Sequence, residues 1–155
     1  MDNMPRYAAV DIGSNSVRML TAETGSGVST KILAAERQVT RLGAGVFQDG
    51  RIPGETIQFV CENLVRMAQV YRKLDVIGVR AVATSAVRDA SNQHEFIEKA
   101  SNALDTPVEI ISGPEEARLI HLGVQARWPQ PGKRVLIVDV GGGSAELILS
   151  EDGAL

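Results

Sequence analysis

Three features of the 155-residue chain predict an α/β domain on a mixed sheet. Short apolar runs at 7–12, 16–24 and 28–36 are separated by Gly, Ser and Asn turn signals, as in consecutive antiparallel strands. Further along, strand-like runs alternate with helical-period segments, the mark of parallel βα crossovers. With 44% hydrophobic and 23% charged residues, the chain can build one ordinary core.

The run 7–12 leads into the turn GSNS, and SVRMLTAET alternates as a second strand. The turn signal GSG at 25–27 precedes VSTKILAAE, a third strand. RLGAGVFQDGRIP (41–53) is rich in glycine and reads as a loop. From 55 to 74 the residues Ile57, Val60, Cys61, Leu64, Met67, Ala68, Tyr71 and Leu74 fall on one helical face, and Pro53 suits that helix's first turn. VIGVRAVAT (76–84) is the next strand, followed by SAVRDAS. Asn92 and Glu95 have the spacing of a capping pair, opening a second helix with inner residues Phe96, Ile97, Ala100, Ala103 and Leu104. PVEIIS (107–112) is a strand, and GPEEARLIHLGVQAR (113–127) is a third helix with Pro114 in its first turn. WPQPGKR reads as a linker, and VLIVDVGGGSAELIL (135–149) as strand, turn and strand.

A net charge of −3 argues against a broad nucleic-acid footprint. It leaves room for a small anionic ligand, because local groups and metal ions can reverse the potential at one site. The single cysteine, Cys61, cannot form an internal disulfide, and no Cys/His spacing suits a metal. Cys61 and Met67 read as core, His94 as a surface residue and His121 as a helix-face residue. No cationic stretch leads into an apolar one at the N-terminus, and no apolar run reaches the roughly 20 residues of a membrane span. The expectation is a reduced, cytoplasmic chain.

The two ends of the sequence repeat each other. VDIGSNSVRML (10–20) aligns without gaps to VDVGGGSAELI (138–148), pairing Asp11 with Asp139, Gly13 with Gly141 and Ser16 with Ser144. A strand interior gains nothing from glycine, so Gly141, Gly142 and Gly143 imply a close approach to the backbone. Small-residue turns of this kind can aim N–H groups inward as an anion-holding nest. One turn in each of two equivalent lobes would clamp a phosphate chain from both sides. Asp11 and Asp139 would then face each other and hold a divalent cation, Mg²⁺ through water or another ion of that kind. Glu146 in the second copy stands where the first has Arg18, so the halves are chemically unlike.

Asp-aliphatic-Gly-small-small-Ser opening each of two duplicated lobes resembles the actin-like ATPase superfamily, which includes sugar kinases, heat-shock 70 chaperones and actin. Within it, VDIGSNSVRML, VRAVATSAVRDASN, IISGPEEARLIHLGV and VDVGGGSAELIL together resemble the exopolyphosphatase/guanosine pentaphosphate phosphohydrolase family. They span nearly the whole chain; RLGAGV fits more loosely, and Ala145 departs from the Thr that family members often carry. The resemblance implies an actin-like, ribonuclease H-like lobe over residues 1–128 with a five-stranded mixed sheet. Residues 129–155 would be a linker and the first hairpin of a second such lobe.

The same resemblance implies release of terminal phosphate from polyphosphate or of the 5′-phosphate of guanosine pentaphosphate. Phosphoryl hydrolysis needs charge neutralisation, an in-line water and a group that orients or deprotonates it. Gly141, Gly142, Gly143 and Ser144 are the expected phosphate holders of one turn, and Ser14, Asn15 and Ser16 of the other. Arg88 lies just past a strand end, where ligands of open α/β sheets bind, and a guanidinium there can hold phosphate bidentately. Glu115 and Glu116 both fall in a helix's first turn, and the dipole prefers neither. The resemblance selects Glu116 as the water-activating base and, with Asp11 and Asp139, makes Glu146 a metal or water ligand. The expected partner is polyphosphate or guanosine pentaphosphate as a small anion, with no nucleic acid and no membrane, and with self-association as a homodimer. Two alternatives remain: an ATP-dependent kinase or ATPase of the superfamily, and a regulatory module that binds without turnover.

Overall fold

In the first strand, β1 (Arg6–Ile12), burial alternates residue by residue, with Ala8, Val10 and Ile12 inside and Tyr7, Ala9 and Asp11 outside. A period of two of this kind lets a strand cover a core with one face and leave the other open. The computed structural model describes residues 4–25 and 28–155. Ser26 and Gly27 of the expected turn lie outside the described residues.

Strand β2 (Ser16–Gly25) pairs antiparallel with β1, and β3 (Val28–Val39) antiparallel with β2, continuing beyond the expected end at Glu36. The next two strands, β4 (Gly78–Ala83) and β5 (Val108–Ile110), run parallel to β1 and to each other. The order β3-β2-β1-β4-β5 is a five-stranded mixed sheet, as the sequence predicts.

The expected loop at 41–53 contains a helix, α1 (Leu42–Asp49), with Leu42, Gly43 and Val46 buried. Its glycines make room for neighbours and do not break the helix. A Cβ on Gly45 would lie 2.5 Å from Pro53 Cδ, and one on Gly43 would lie 3.1 Å from Ser14 Cβ. Counting glycines as loop signals fails where they permit close packing.

Helices α2 (Gly54–Arg72), α3 (Ser85–Asp89) and α4 (Gln93–Leu104) follow. The predicted inner faces are the buried ones: Ile57, Val60, Leu64, Met67, Ala68 and Tyr71 on α2 meet Phe96, Ala100 and Leu104 on α4 in one cluster with Val10, Ile12 and Met19. Each large side chain so buried contributes roughly 1.5–3 kcal/mol. The Tyr71 hydroxyl donates to the Leu104 carbonyl at 2.7 Å, satisfying the final turn of α4. Asn92 is the residue before α4, but its side chain does not cap it. It accepts from Ile52 N at 2.8 Å and donates to Ile52 O at 2.9 Å, tying α4 to the end of the α1 loop.

Helix α5 (Gly113–Arg127) opens with Ser112 Oγ accepting from Glu115 N at 3.3 Å. Strands β6 (Arg134–Val140) and β7 (Ala145–Glu151) form a separate two-stranded antiparallel sheet. One face of that hairpin packs on α5 through Ile148 and Ser150. The other exposes Leu136, Val138, Val140, Leu147 and Leu149. Among the described residues, no helix is long and apolar enough to cross a membrane.

The two kinds of glycine can be told apart. Gly45→Ala must push against a proline ring and is expected to cost about 1–3 kcal/mol. Gly54→Ala, with nothing within 4 Å of its Cβ, is expected to be neutral or stabilising by up to about 1 kcal/mol. Urea unfolding midpoints measure both.

Candidate functional site

The β1–β2 turn and the β6–β7 turn are built alike. Gly13 N donates to Ser16 O at 3.1 Å, and Gly141 N donates to Ser144 O at 2.9 Å. The strand partners match as well: Asp11 stands opposite Arg18, and Asp139 opposite Glu146. The first turn is held from behind. Asn15 O accepts from Thr40 N and Arg41 N, each at 3.0 Å, and Ser14 O accepts from Gly43 N at 2.7 Å. With its carbonyls engaged outward, the turn is fixed by backbone bonds that need no ligand.

The two turns touch. A Cβ on Gly142 would lie 2.7 Å from Asn15 Cβ, and one on Gly143 would strike the Phe47 ring. The glycine run is therefore the place where one turn fits against the other and against α1. A cleft of about 300 Å³ opens beside this contact, lined by Asp11, Ser14, Asn15, Ser16, Glu116, Asp139, Gly141, Gly142, Ser144 and Glu146. Those are the predicted site residues except Arg88 and Gly143. Gly143 faces Phe47. Arg88 donates to Ile111 O at 2.7 Å and lies 3.6 Å from Glu116 Oε2, so it acts on the cleft through that carboxylate.

The structure separates the two adjacent glutamates. Glu115 accepts from Arg118 Nε at 2.7 Å and Nη2 at 2.9 Å and faces Arg80; Arg118 above all holds its carboxyl down at about 2. Glu116 turns into the cleft, and its Oε2 is buried with no hydrogen-bond partner. Loss of water pushes its pKa up, Glu146 and Asp11 push the same way, and Arg88 opposes them. Asp11 is also raised, first by desolvation and then by Asp139, with Arg18 pulling it down. A carboxylate so raised is a better proton acceptor than one locked to two arginines.

Residues 20–154 match the Ppx/GppA phosphatase family. The chain belongs to that family. It is 38% identical over 147 residues to a guanosine-5′-triphosphate,3′-diphosphate pyrophosphatase of Vibrio parahaemolyticus, covering 95% of this chain and 29% of that protein. The PPX-GPPA enzyme of Aquifex aeolicus superposes with a TM-score of 0.86 at 33% identity, over 97% of this chain and 50% of the other. An exopolyphosphatase from Cytophaga hutchinsonii gives 0.88 at 31%, over 95% and 47%. The chain thus spans about half the length of these solved relatives, and its five-stranded sheet is an actin-like lobe.

Four polar side chains lining the cleft of this Ppx/GppA chain are not among the predicted site residues: Arg18, Arg37, Thr84 and Ser85. Arg18 and Arg37 stand opposite each other on β2 and β3. Like charges so placed repel, which favours an anion between them. Among the described residues neither forms an ion pair; Arg37 Nε donates to Ser16 Oγ at 3.4 Å. Ser85 Oγ lies 2.9 Å from Ser14 Oγ. The strand pairing that gathers these residues is set by tertiary structure, though the alternating polar positions at Arg18 and Arg37 were a weak signal.

The cleft's donors suit a hard divalent cation in this Ppx/GppA chain. Asp11, Asp139, Glu146 and Glu116 all face it, and an anionic chain entering among them needs positive charge. Among the described residues no three acidic, His or Cys side chains converge as a metal cage. One or two carboxylates with waters is the arrangement Mg²⁺ takes when substrate phosphates complete its shell.

Ionising Glu116 opposes folding, because its pKa is raised in the native state. The stability in question is fully present below the unfolded-state value and is lost as pH rises through the folded value. Glu116→Gln is therefore expected to be more stable than wild type at pH 7 and equal to it near about pH 3.5. Urea midpoints at the two pH values measure this.

Proposed function

We propose that this chain is the phosphate-gripping part of a phosphohydrolase. It removes the terminal phosphate of inorganic polyphosphate, or the 5′-phosphate of guanosine pentaphosphate, by attack of water. One observation carries the reading: Glu116, whose buried Oε2 has Arg88 at 3.6 Å and no hydrogen-bond partner, lines the cleft between two duplicated turns. The names of the relatives, a pyrophosphatase of guanosine-5′-triphosphate,3′-diphosphate and an exopolyphosphatase, support the substrate class.

In this reading the backbone N–H group of Gly142 and the hydroxyls of Ser14, Ser16 and Ser144 bind the terminal phosphoryl group, while the Gly141 N–H closes the turn onto Ser144 O. Asn15 holds the turns together, and Arg18 and Arg37 bind phosphates further along the anion. Of Asp11, Asp139 and Glu146, one or two would hold Mg²⁺ or a similar cation with water completing its shell, and that ion would supply charge neutralisation at the phosphate. Glu116 accepts a proton from the water as its oxygen bonds to the terminal phosphorus. The phosphorus–oxygen bond to the next phosphate breaks, and the shortened chain leaves with that oxygen. Arg88 keeps Glu116 aimed and tempers its proton affinity.

Residues 1–128 form the first lobe in this proposal and 129–155 the start of the second, whose further strands would cover the open face bearing Leu136, Val138 and Leu147. A lone cysteine and the absence of a membrane-crossing helix among the described residues fit a cytoplasmic setting.

Malachite-green assay of phosphate release by the full-length protein tests this. Glu116→Gln is expected to lower kcat by a factor on the order of 100 to 10,000 while substrate binding, followed by calorimetry, survives. EDTA is expected to stop release and Mg²⁺ to restore it. Wild type that binds either anion and never releases phosphate would instead make the protein a binding module.

A further inference from the structure

Glu116 and Glu146 reach the cleft from a helix and from a strand of the separate two-stranded sheet. Helix α5 brings Glu116 in its first turn, and β7 brings Glu146 near its start. Beyond the cleft the helix meets the strand in a buried polar contact beside Ile148. His121 Nε2 lies 2.9 Å from Ser150 Oγ; His121 is 4% exposed and Ser150 is fully buried. On β7 the residues Glu146, Ile148 and Ser150 share one face, the face turned to α5. On α5, His121 sits roughly 7–8 Å along the axis from Glu116.

We propose that the His121–Ser150 hydrogen bond is a clasp that positions Glu116 relative to Glu146. The inference rests on the hydrolase reading above. Both partners act through other residues, so they are positioning residues and not catalytic ones. The argument is one of geometry. An apolar pair at this spot would bury as well and could slide along the strand, whereas a hydrogen bond tolerates only a few tenths of an ångström and a narrow angle. Replacing both partners by apolar groups of similar shape is nearly neutral for stability, so stability alone gives little reason for a polar pair here. Register does: the helix is rigid over that distance, and a slip at His121 carries Glu116 with it. A misplacement of about 1 Å at the base is worth on the order of a hundredfold in rate.

The test uses the full-length protein and four variants. Ser150→Ala and the double variant H121F/S150A remove the bond, the double one leaving no polar group stranded. His121→Gln keeps a side-chain donor and acceptor at similar reach, and Glu116→Gln marks the floor of activity. With the clasp at work, H121F/S150A melts within a few degrees of wild type, keeps KM within about twofold and loses roughly 10- to 100-fold in kcat. His121→Gln recovers most of that loss. Amide hydrogen exchange is read in parallel on polypeptide 113–121 and 145–151, where the bond-breaking variants are expected to exchange at least about tenfold faster while β1 and β4 do not change. Wild-type turnover with an undiminished kcat in H121F/S150A overturns the clasp and leaves the hydrolase reading standing. A kcat loss in which His121→Gln is as poor as the double variant also overturns it. If wild type has no turnover, the hydrolase reading falls, and unchanged exchange in the double variant disposes of the clasp as well.

Discussion

Everything at the cleft depends on two backbone turns coming close enough to touch. Gly142 lies where a Cβ would stand 2.7 Å from Asn15 Cβ, a separation no side chain accommodates. The contact is steric and short-ranged, and it decides how far apart Asp11 and Asp139 can be. The polar groups around it are placed as a consequence. Asn15 and Ser14 are held from outside by the backbone of residues 40–43, so the first turn is a fixed anvil for the second.

A second consequence is electrostatic asymmetry on a symmetric frame. The duplicated hairpins share a turn hydrogen bond and an aspartate, and they differ one strand over, where Arg18 in one stands for Glu146 in the other. Arg18 pulls the proton affinity of Asp11 down, whereas Glu146 pushes that of Glu116 up. The first hairpin thus carries an arginine to the cleft where the second carries a glutamate.

Much of this was legible in the chain. The duplicated Asp-x-Gly turns are written in consecutive residues, so their relation needed no tertiary knowledge, and the helical and strand periods gave the sheet its mixed connectivity. Three things were hidden. Helix α1 was masked because Gly43 and Gly45 serve packing against Ser14 and Pro53, a reason that exists only once those neighbours arrive. Glu115 and Glu116 were equivalent by position, and were separated by Arg118 and Arg80 on one side and by burial on the other. Arg18 and Arg37 are far apart in sequence and become adjacent only through strand register. Asn92 illustrates the same limit, since its spacing to Glu95 suggested a cap while its side chain grips the backbone of Ile52.

The open aliphatic face of the β6–β7 hairpin bears on how such a chain emerges from the ribosome. The core of the first lobe draws its residues from positions up to Val108, so it can close before residues 134–151 are free of the exit tunnel. The hairpin then appears as two unprotected strand edges with five oily side chains turned to water. During that interval, edge-to-edge pairing between nascent chains is the dominant hazard, and a chaperone that shields short aliphatic strands would act there.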